Sequence, residues 1–240
     1  MSADFSRGHR PSRCLLGGVI LAIVGMTAAH AEGPMANDDA GTLALGGMKV
    51  EAVWFKDDKV DGLEAVFGFG VVEGLELEVV GAYAKDGAAS PATRLRGIGF
   101  GAKWVPYQND LGWSLGARFD YGRVRVDERE AGVKFTGREY AVTGLASYRF
   151  DNGHALHANL GSARVKALGE GETVGTWDIG YELPVADGLQ LTAETYGAEG
   201  SRPDKAVGLR YEVLDGLKVS AAIGRGNDRR FGQIGVAWEF

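Results

Sequence analysis

The sequence is poor in cysteine, proline and histidine. Its 240 residues include one cysteine, six prolines and four histidines. The only cysteine, Cys14, lies close to the N-terminus, so no disulfide can form within the chain. Hydrogen bonding and packing alone must therefore hold the fold together.

Long apolar runs and an excess of positive charge are also missing. After residue 31, no run approaches the roughly 18 apolar residues of a membrane-spanning helix. The net charge of −6 argues against nucleic acid as a partner, because surfaces that bind nucleic acid carry basic patches.

The N-terminus has the pattern of an export signal. Three arginines precede an apolar run over residues 14–27, which ends in a small-x-small stretch at Ala29–Ala31. The run is too short to span a bilayer, which needs about 20 residues. We predict a cleaved signal peptide over residues 1–31, with cleavage before Glu32.

Glycine is abundant, at 38 residues, and apolar residues alternate with small or polar ones along most of the chain. In "GQIGVAWEF", for example, Ile234, Val236 and Trp238 share one parity, as on a strand with one apolar face. A small, polar segment without a period, residues 32–46, is predicted to be a periplasmic lead-in. The predicted strands after it cover residues 47–56, 62–72, 75–84, 94–106, 112–125, 136–150, 154–165, 173–185, 189–198, 205–214, 217–225 and 231–240.

The connections between these segments alternate in character. Short turns such as "VEG", "DNG" and "ADG" alternate with longer or more charged links such as "KDGAASPAT" and "VDEREAGVKF". This asymmetry is typical of outer-membrane barrels, whose periplasmic turns are short and whose extracellular loops are longer. The prediction is an all-β fold, an antiparallel transmembrane β-barrel of about twelve strands over residues 47–240, with both termini periplasmic.

A soluble barrel would show the same alternation, but two features favour a membrane barrel. Tryptophan and tyrosine collect at strand ends, as in the aromatic girdles of membrane proteins. Glycines such as Gly99, Gly101 and Gly208 share the parity of the charged residues, which suits a crowded lumen better than a solvated outer face. The outer apolar face would then contact lipid.

The charged parity supplies the candidate functional residues, which carry both signs. The predicted lumen-lining residues are Glu51, Glu64, Glu76, Glu78, Lys103, Arg118, Asp120, Arg149, His157, Asn159, Asp178, Glu182, Glu194, Arg210, Glu212 and Lys218, together with Lys49, Glu139 and Glu239. They could line a water-filled path with an acidic bias that favours cations or neutral solutes. They could equally pair across the lumen and close it, which would leave a structural or anchoring barrel. Twelve strands lie between the filled and the open barrel sizes, so the strand count does not decide.

Catalytic, cofactor and metal sites are not predicted. His154 and His157 are three apart on a strand and face opposite sides, so they cannot share a metal. A Ser-His pair is conceivable between His157 and Ser147 or Ser114. These positions are inward, whereas a lipid-modifying enzyme needs its nucleophile to face lipid, so an outer-membrane enzyme is only the third alternative.

The second half of the chain resembles the MetA-pathway of phenol degradation family of outer-membrane transporters. The resemblance lies in "HALHANLG", "LTAETYG", "AVGLRYEV", "GLKVSAAIGRG" and the final "GQIGVAWEF". It implies an outer-membrane barrel that passes small solutes, including hydrophobic or aromatic ones. Expected partners are outer-membrane lipid, lipopolysaccharide, the solute and the barrel-assembly machinery, with Trp238 and Phe240 as the assembly signal that this machinery recognises.

Overall fold

The computed structural model describes residues 33–240, which form a closed barrel of twelve antiparallel strands. Each strand pairs with its neighbours in sequence, and the first pairs with the last. The strands are β1 Met48–Asp57, β2 Val60–Val72, β3 Leu75–Asp86, β4 Thr93–Tyr107, β5 Gly112–Glu128, β6 Val133–Arg149, β7 Ala155–Ala167, β8 Glu170–Ala186, β9 Leu189–Ala198, β10 Asp204–Leu214, β11 Leu217–Gly226 and β12 Arg229–Glu239. The predicted all-β barrel is confirmed, and the predicted signal peptide and its cleavage site lie outside the described residues.

The two ends of the barrel carry different connections. We call the end with both termini of the barrel the turn end; its connections are residues 73–74, 108–111, 150–154, 187–188 and 215–216. We call the other end the loop end; its connections are residues 58–59, 87–92, 129–132, 168–169, 199–203 and 227–228. Among the described residues, no helix is long and apolar enough to cross a membrane.

Several links that the sequence suggested were long are tight turns. "KDDKVD", "KALGEGE" and "GNDRR" each contribute two residues to a turn, and their flanking charged residues continue the strands. Asp58, Leu168, Asn227 and Asp228 have positive φ, which tight hairpin turns require. The strands therefore extend further at the loop end than alternation alone indicated.

Strands β1 and β12 close the barrel. Their register places Val50 opposite Trp238 and Val53 opposite Gly235. Beyond the end of β12, Phe240 and Met48 exchange two backbone hydrogen bonds, at 2.8 and 2.9 Å. Closure leaves no free sheet edge. The unpaired backbone groups of such an edge would be costly in lipid.

The outer surface carries an apolar band with aromatic residues at both borders. At the turn end, Trp104, Trp113 and Trp238 are all more than half exposed. Near the loop end, the rings of Tyr121 and Tyr140 lie 5.2 Å apart on neighbouring strands. Large apolar side chains exposed in this number on a soluble protein would be costly, whereas lipid covers them in a membrane barrel.

Between this band and the loop end, the polarity of β4 to β7 reverses. On β5 the outward positions change from Phe119 and Tyr121 to Arg123 and Arg125, while the inward Val124 becomes fully buried. Apolar side chains inside and charges outside are the pattern of a barrel in water. The change marks the level at which these strands leave the lipid-facing band.

Candidate functional site

The structure places the predicted lumen-lining residues on the inner face of the barrel. Most are buried, including Glu76, Arg118 and His157, each with 2% or less of its surface exposed. Arg149, Asp178, Glu182, Glu194 and Lys218 are half-buried, and Glu212 is exposed at the turn end. The lumen is therefore lined with charge at this end.

The lumen also contains a part of the chain that the sequence analysis placed elsewhere. Residues 33–43, which we call the inner segment, lie inside the barrel, where a periplasmic lead-in was expected. Met35, Asn37, Asp38 and Ala40 are each 5% exposed or less. The physical reason is complementarity, since the segment brings backbone N–H groups and carboxylates to a wall that carries carboxylates, arginines and lysines.

The inner segment follows the inner wall round the barrel. From its C-terminal end, Leu43 donates its backbone N–H to Glu76 on β3 at 3.0 Å, and Ala40 donates to Ser147 on β6 at 2.7 Å. Ala36 then donates to Glu194 on β9 at 2.8 Å. The inner segment therefore runs round the inner wall from β3 through β6 to β9.

At the N-terminal end of the inner segment, Gly33 lies between two wall residues. Its backbone N–H donates to Glu51 on β1 at 2.7 Å, and its carbonyl accepts from Arg210 on β10 at 2.9 Å. Gln233 of β12 donates to the Pro34 carbonyl. The segment thus touches strands on all sides of the lumen and occupies its cross-section at this level.

Asp38 is the central contact of the inner segment. Its carboxylate accepts hydrogen bonds from Lys103 Nζ at 2.9 Å and from Arg118 Nη1 at 3.1 Å. Its backbone carbonyl accepts from Asn159 Nδ2 at 2.8 Å. The side chain of Asp38 is fully buried, so this carboxylate is neutralised by two cations of the wall rather than by water.

Arg118 links the inner segment to a wider ion network. Its guanidinium also donates to Glu78 at 2.5 Å and to Asp120 at 2.9 Å. Lys49 in turn lies 2.9 Å from Glu78 and 3.1 Å from Glu76. Each buried charge in this group therefore has a partner of opposite sign, which burial demands.

The neighbouring Asp39 makes a second ionic contact. Its carboxylate lies 2.6 Å from Arg149 and 3.5 Å from Lys103. Asn37 donates to Asp178 through its side-chain amide. Three consecutive residues of the segment are thus held by side chains from different strands.

Ser147 and His157, the pair that the sequence analysis considered and set aside, are in contact and support the inner segment. Ser147 Oγ lies 2.8 Å from His157 Nδ1 and accepts the Ala40 N–H. Ser147 is fully buried, and His157 Nε2 lies 4.0 Å from Glu182, too far for a hydrogen bond. Ser114, the other candidate, donates to the Asn109 carbonyl instead. The second histidine, His154, contacts Tyr181, so the two histidines do not meet.

Glycines on the wall make room for the segment. A Cβ at Gly180 would lie 2.4 Å from Met35 and 2.9 Å from Asn37, and a Cβ at Gly208 would lie 2.6 Å from Pro34. At these two positions the lumen glycines mark where the inner segment approaches the strands, whereas a Cβ at Gly99 or Gly101 would meet wall residues.

Side chains, not a backbone ladder, hold most of the segment. Within the described chain, residues 33–43 form no backbone–backbone hydrogen bond with a strand; such pairing starts at Gly46 and Gly47, which bond to Gly70. Buried atoms Asn37 Oδ1, His157 Nε2 and Asn159 Oδ1 find no hydrogen-bond partner among residues 33–240. Two of these residues, Asn37 and His157, line a polar cavity that is large enough to hold water. The contact between segment and wall is consequently incomplete.

A polar cavity of about 460 Å³ lies between the inner segment and the turn end. The segment contributes Asn37 and Asp39 to its lining, and the wall contributes Glu182, Arg210 and Lys218. The inner segment forms the side of this cavity that faces the loop end.

The loop-end half of the lumen differs from the sequence expectation. On one side its lining is apolar, a cluster of Ala84, Leu95, Val124, Val126 and Val165. On the other side the guanidinium of Arg229 bridges Asp57 and Asp204. Parity alone did not identify the apolar cluster, because the apolar positions change from the outward to the inward face where the polarity of these strands reverses.

Sequence reasoning missed Asn37, Asp38 and Asp39 as site residues. They stand in "MANDDA", a stretch without periodicity, and their partners are more than sixty residues away in the sequence. The available signal was indirect. It consisted of the excess of lumen glycines and of wall cations that needed counter-charges.

The fold is shared with solved outer-membrane barrels. The KdgM porin aligns with a TM-score of 0.59 at 13% identity, over 80% of this chain and 99% of that one. The transport unit of the autotransporter AIDA-I from Escherichia coli gives 0.59 at 12%, over 97% and 100%. The NanC porin gives 0.54 at 11%, over 80% and 98%. At these identities the similarity shows the fold alone.

At the sequence level, one family model matches, described as "Uncharacterised conserved protein UCP029691", over residues 19–236. No curated protein matches the chain. The resemblance to the MetA-pathway of phenol degradation family stays a prediction.

Proposed function

We propose that this chain, which belongs to the family described as "Uncharacterised conserved protein UCP029691", is a passive outer-membrane channel for small solutes. We further propose that its own inner segment gates the lumen. The predicted signal peptide, insertion by the barrel-assembly machinery and contact with outer-membrane lipid and lipopolysaccharide belong to this proposal. No enzymatic step is part of it.

One observation carries the proposal: a separate segment, rather than the wall, fills the turn-end half of the lumen. Residues 33–43 lie inside the barrel and are held by side chains, with Asp38 at the centre. When such a segment withdraws, it opens the turn-end half of the lumen by at least the width of one polypeptide. Passage through the loop-end half then requires the packed cluster around Val124 and Phe55 to move as well.

The wall residues released by withdrawal give the path its selectivity. Glu194 and Asp178 now bind Ala36 and Asn37, and they would face solvent in the open state. Lys103 and Arg118 would lose Asp38, but Glu78 and Asp120 still contact Arg118. Acids outnumber bases on the predicted lumen positions, so we expect a preference for cations or neutral solutes over anions.

The proposed solute class rests on the chemistry of the lumen and on one solved structure with the same fold. The KdgM porin, which shares the fold, is described in complex with disordered oligogalacturonate. This supports passage of a flexible polar molecule through a barrel of this size. That ligand is an anion, so the expected cation preference of this chain rests on its lumen acids alone. The resemblance to phenol-degradation transporters would instead favour aromatic solutes, and uptake assays with both classes distinguish them.

A non-conducting structural barrel is the alternative function. The paired network of Lys49, Glu78, Arg118 and Asp38 favours it, because every member is buried and neutralised. In that case the inner segment is a permanent part of the core.

Planar-bilayer recording separates the two functions. Three proteins are compared: the mature chain, a variant that lacks residues 33–43, and a variant in which a Gly/Ser sequence of equal length replaces them. The gated channel predicts rare openings for the mature chain and steady, cation-preferring conductance for both variants. Silence of both variants, with folded barrels on unheated gels, would overturn the proposal.

A further inference from the structure

The outer face of the barrel carries a dense group of cations at the loop end. We call it the basic patch; its members are Arg96, Arg123, Arg125, Arg138, Arg164 and Lys166. They project from the adjacent strands β4 to β7, and all six are exposed. None of them takes part in the lumen network.

Members of the basic patch lie directly opposite one another across strands. Arg96 is the register partner of Arg125, and Arg138 is the partner of both Arg123 and Lys166. Register partners on one face have Cβ atoms about 5 Å apart, and like charges at that spacing destabilise the pair. An arrangement of this kind calls for an anion between the side chains.

The described part of the chain does not supply this anion. Within residues 33–240, no member of the basic patch forms an ion pair. On the outward positions of β4 to β7, Asp127 is the one acidic residue in this described region, and it lies 3.6 Å from Lys134. The counter-charge is therefore not supplied by residues 33–240, and we infer that another molecule provides it.

The position of the basic patch indicates where that anion resides. Arg123 lies opposite Ile98, and Arg164 lies opposite Tyr140, so the patch borders the exposed apolar band directly. Acyl chains that cover the band place their headgroups at its border. A lipid can thus contact both surfaces at once, whereas a soluble anion uses only the cations.

We propose that the basic patch binds the phosphates of a membrane lipid whose headgroup carries more than one phosphate. The inference rests on the proposed membrane location and goes beyond the channel function. Guanidinium groups bind phosphate oxygens through paired, charge-assisted hydrogen bonds, and five of the six cations are arginines. One phosphate fits between Arg96 and Arg125, and a second between Arg123 and Arg138.

Binding is measured on the purified full barrel in detergent by native mass spectrometry. The probes are diphosphorylated lipid A, the same lipid without phosphates, and inorganic phosphate as a soluble competitor. The test variant carries Arg96→Gln, Arg123→Gln and Arg125→Gln. We expect its affinity for lipid A to fall by about a hundredfold, since each cation near an anionic headgroup contributes appreciably.

A control variant removes three cations from the opposite side of the barrel. It carries Lys56→Gln, Lys59→Gln and Arg202→Gln, all exposed, and none of them is the register partner of another cation. The control should retain wild-type affinity. An equal loss in test and control variants contradicts a localised site.

Two other results would also overturn the inference. Equal binding of the dephosphorylated lipid excludes phosphate recognition. Full displacement by millimolar inorganic phosphate assigns the patch to a free anion. Conductance of the same proteins is recorded separately, so a silent barrel that still binds lipid A contradicts only the proposed channel.

Discussion

The carboxylate of Asp38 accepts a hydrogen bond from Arg118 at 3.1 Å in the interior of the barrel, 80 residues apart in the sequence. Both side chains are fully buried. This contact joins the centre of the inner segment to the ion network of the wall. It is the place at which a small chemical change should affect the occupancy of the lumen most.

Asp38→Asn should therefore favour the open state. The substitution keeps the size of the side chain but removes the charge that Lys103 and Arg118 contact. Losing one charge-assisted hydrogen bond costs about 1.5–3 kcal/mol, so the ratio of open to occupied lumen should rise about tenfold or more. Open probability in planar bilayers measures this ratio, and Asp61→Asn on the exposed face of β2 should leave it unchanged.

Gly180→Val should expel the inner segment by steric conflict. The nearest atoms to a Cβ at this position, at 2.4 and 2.9 Å, belong to Met35 and Asn37 of the segment. We expect more frequent openings and faster proteolysis of the segment. Gly81→Val is the matched control, because a Cβ there meets nothing within 4 Å; equal behaviour of the two variants would contradict the placement of the segment.

The strand pattern was largely predictable from the sequence. The errors in the predicted strand bounds have a physical cause. The predicted range 189–198 coincides with β9, whereas β6 begins at Val133, three residues before its predicted start. Lys134 and Thr136 lie between the lipid-facing band and the loop end, so they lack the apolar alternation that reveals a membrane strand. Backbone pairing continues there without that signal.

The lumen charges were predictable by parity, but the inner segment was not. Residues 33–43 have neither helical nor strand periodicity, and their contacts depend on the closed barrel. Asp38 needs Lys103 and Arg118 to be brought together by β4 and β5 before its role is visible. A single sequence carries no local trace of such a contact.

Arg118→Met should destabilise the barrel strongly. The change leaves Glu78, Asp120 and Asp38 with one cation fewer in a buried region. Removal of one partner from a buried ion pair costs about 3–5 kcal/mol. The urea midpoint, followed by tryptophan fluorescence, should fall accordingly, while Arg202→Met at the exposed pair with Asp228 should change stability by less than about 0.5 kcal/mol.

Ion selectivity should depend on the acids that the inner segment covers. In the variant without residues 33–43, Asp178→Asn combined with Glu194→Gln should reduce the preference for cations. The physical reason is that both carboxylates contact the segment in the occupied lumen and face the path once it is gone. Reversal potentials in a KCl gradient measure the effect. An unchanged reversal potential would show that these acids do not line the conducting path.

The C-terminal residue should matter for assembly. Phe240 pairs with Met48 through two backbone hydrogen bonds, and its ring lies 4.8 Å from that of Trp238. Phe240→Ala keeps the backbone pairing and removes the predicted recognition signal, so it should lower the amount of folded barrel in the membrane nearly as much as deletion of Phe240. Phe240→Tyr should assemble normally. Normal membrane levels of the alanine variant would refute the assembly-signal prediction.

The attachment of the inner segment to β1 makes it a tethered ligand of its own barrel. Gly46 and Gly47 pair with Gly70, and the contacts from Gly33 to Leu43 lie beyond this anchor. A short tether holds a ligand at an effective concentration on the order of millimolar. A withdrawn segment therefore returns without any partner, and a free peptide of residues 33–43 has to reach millimolar concentration to replace it.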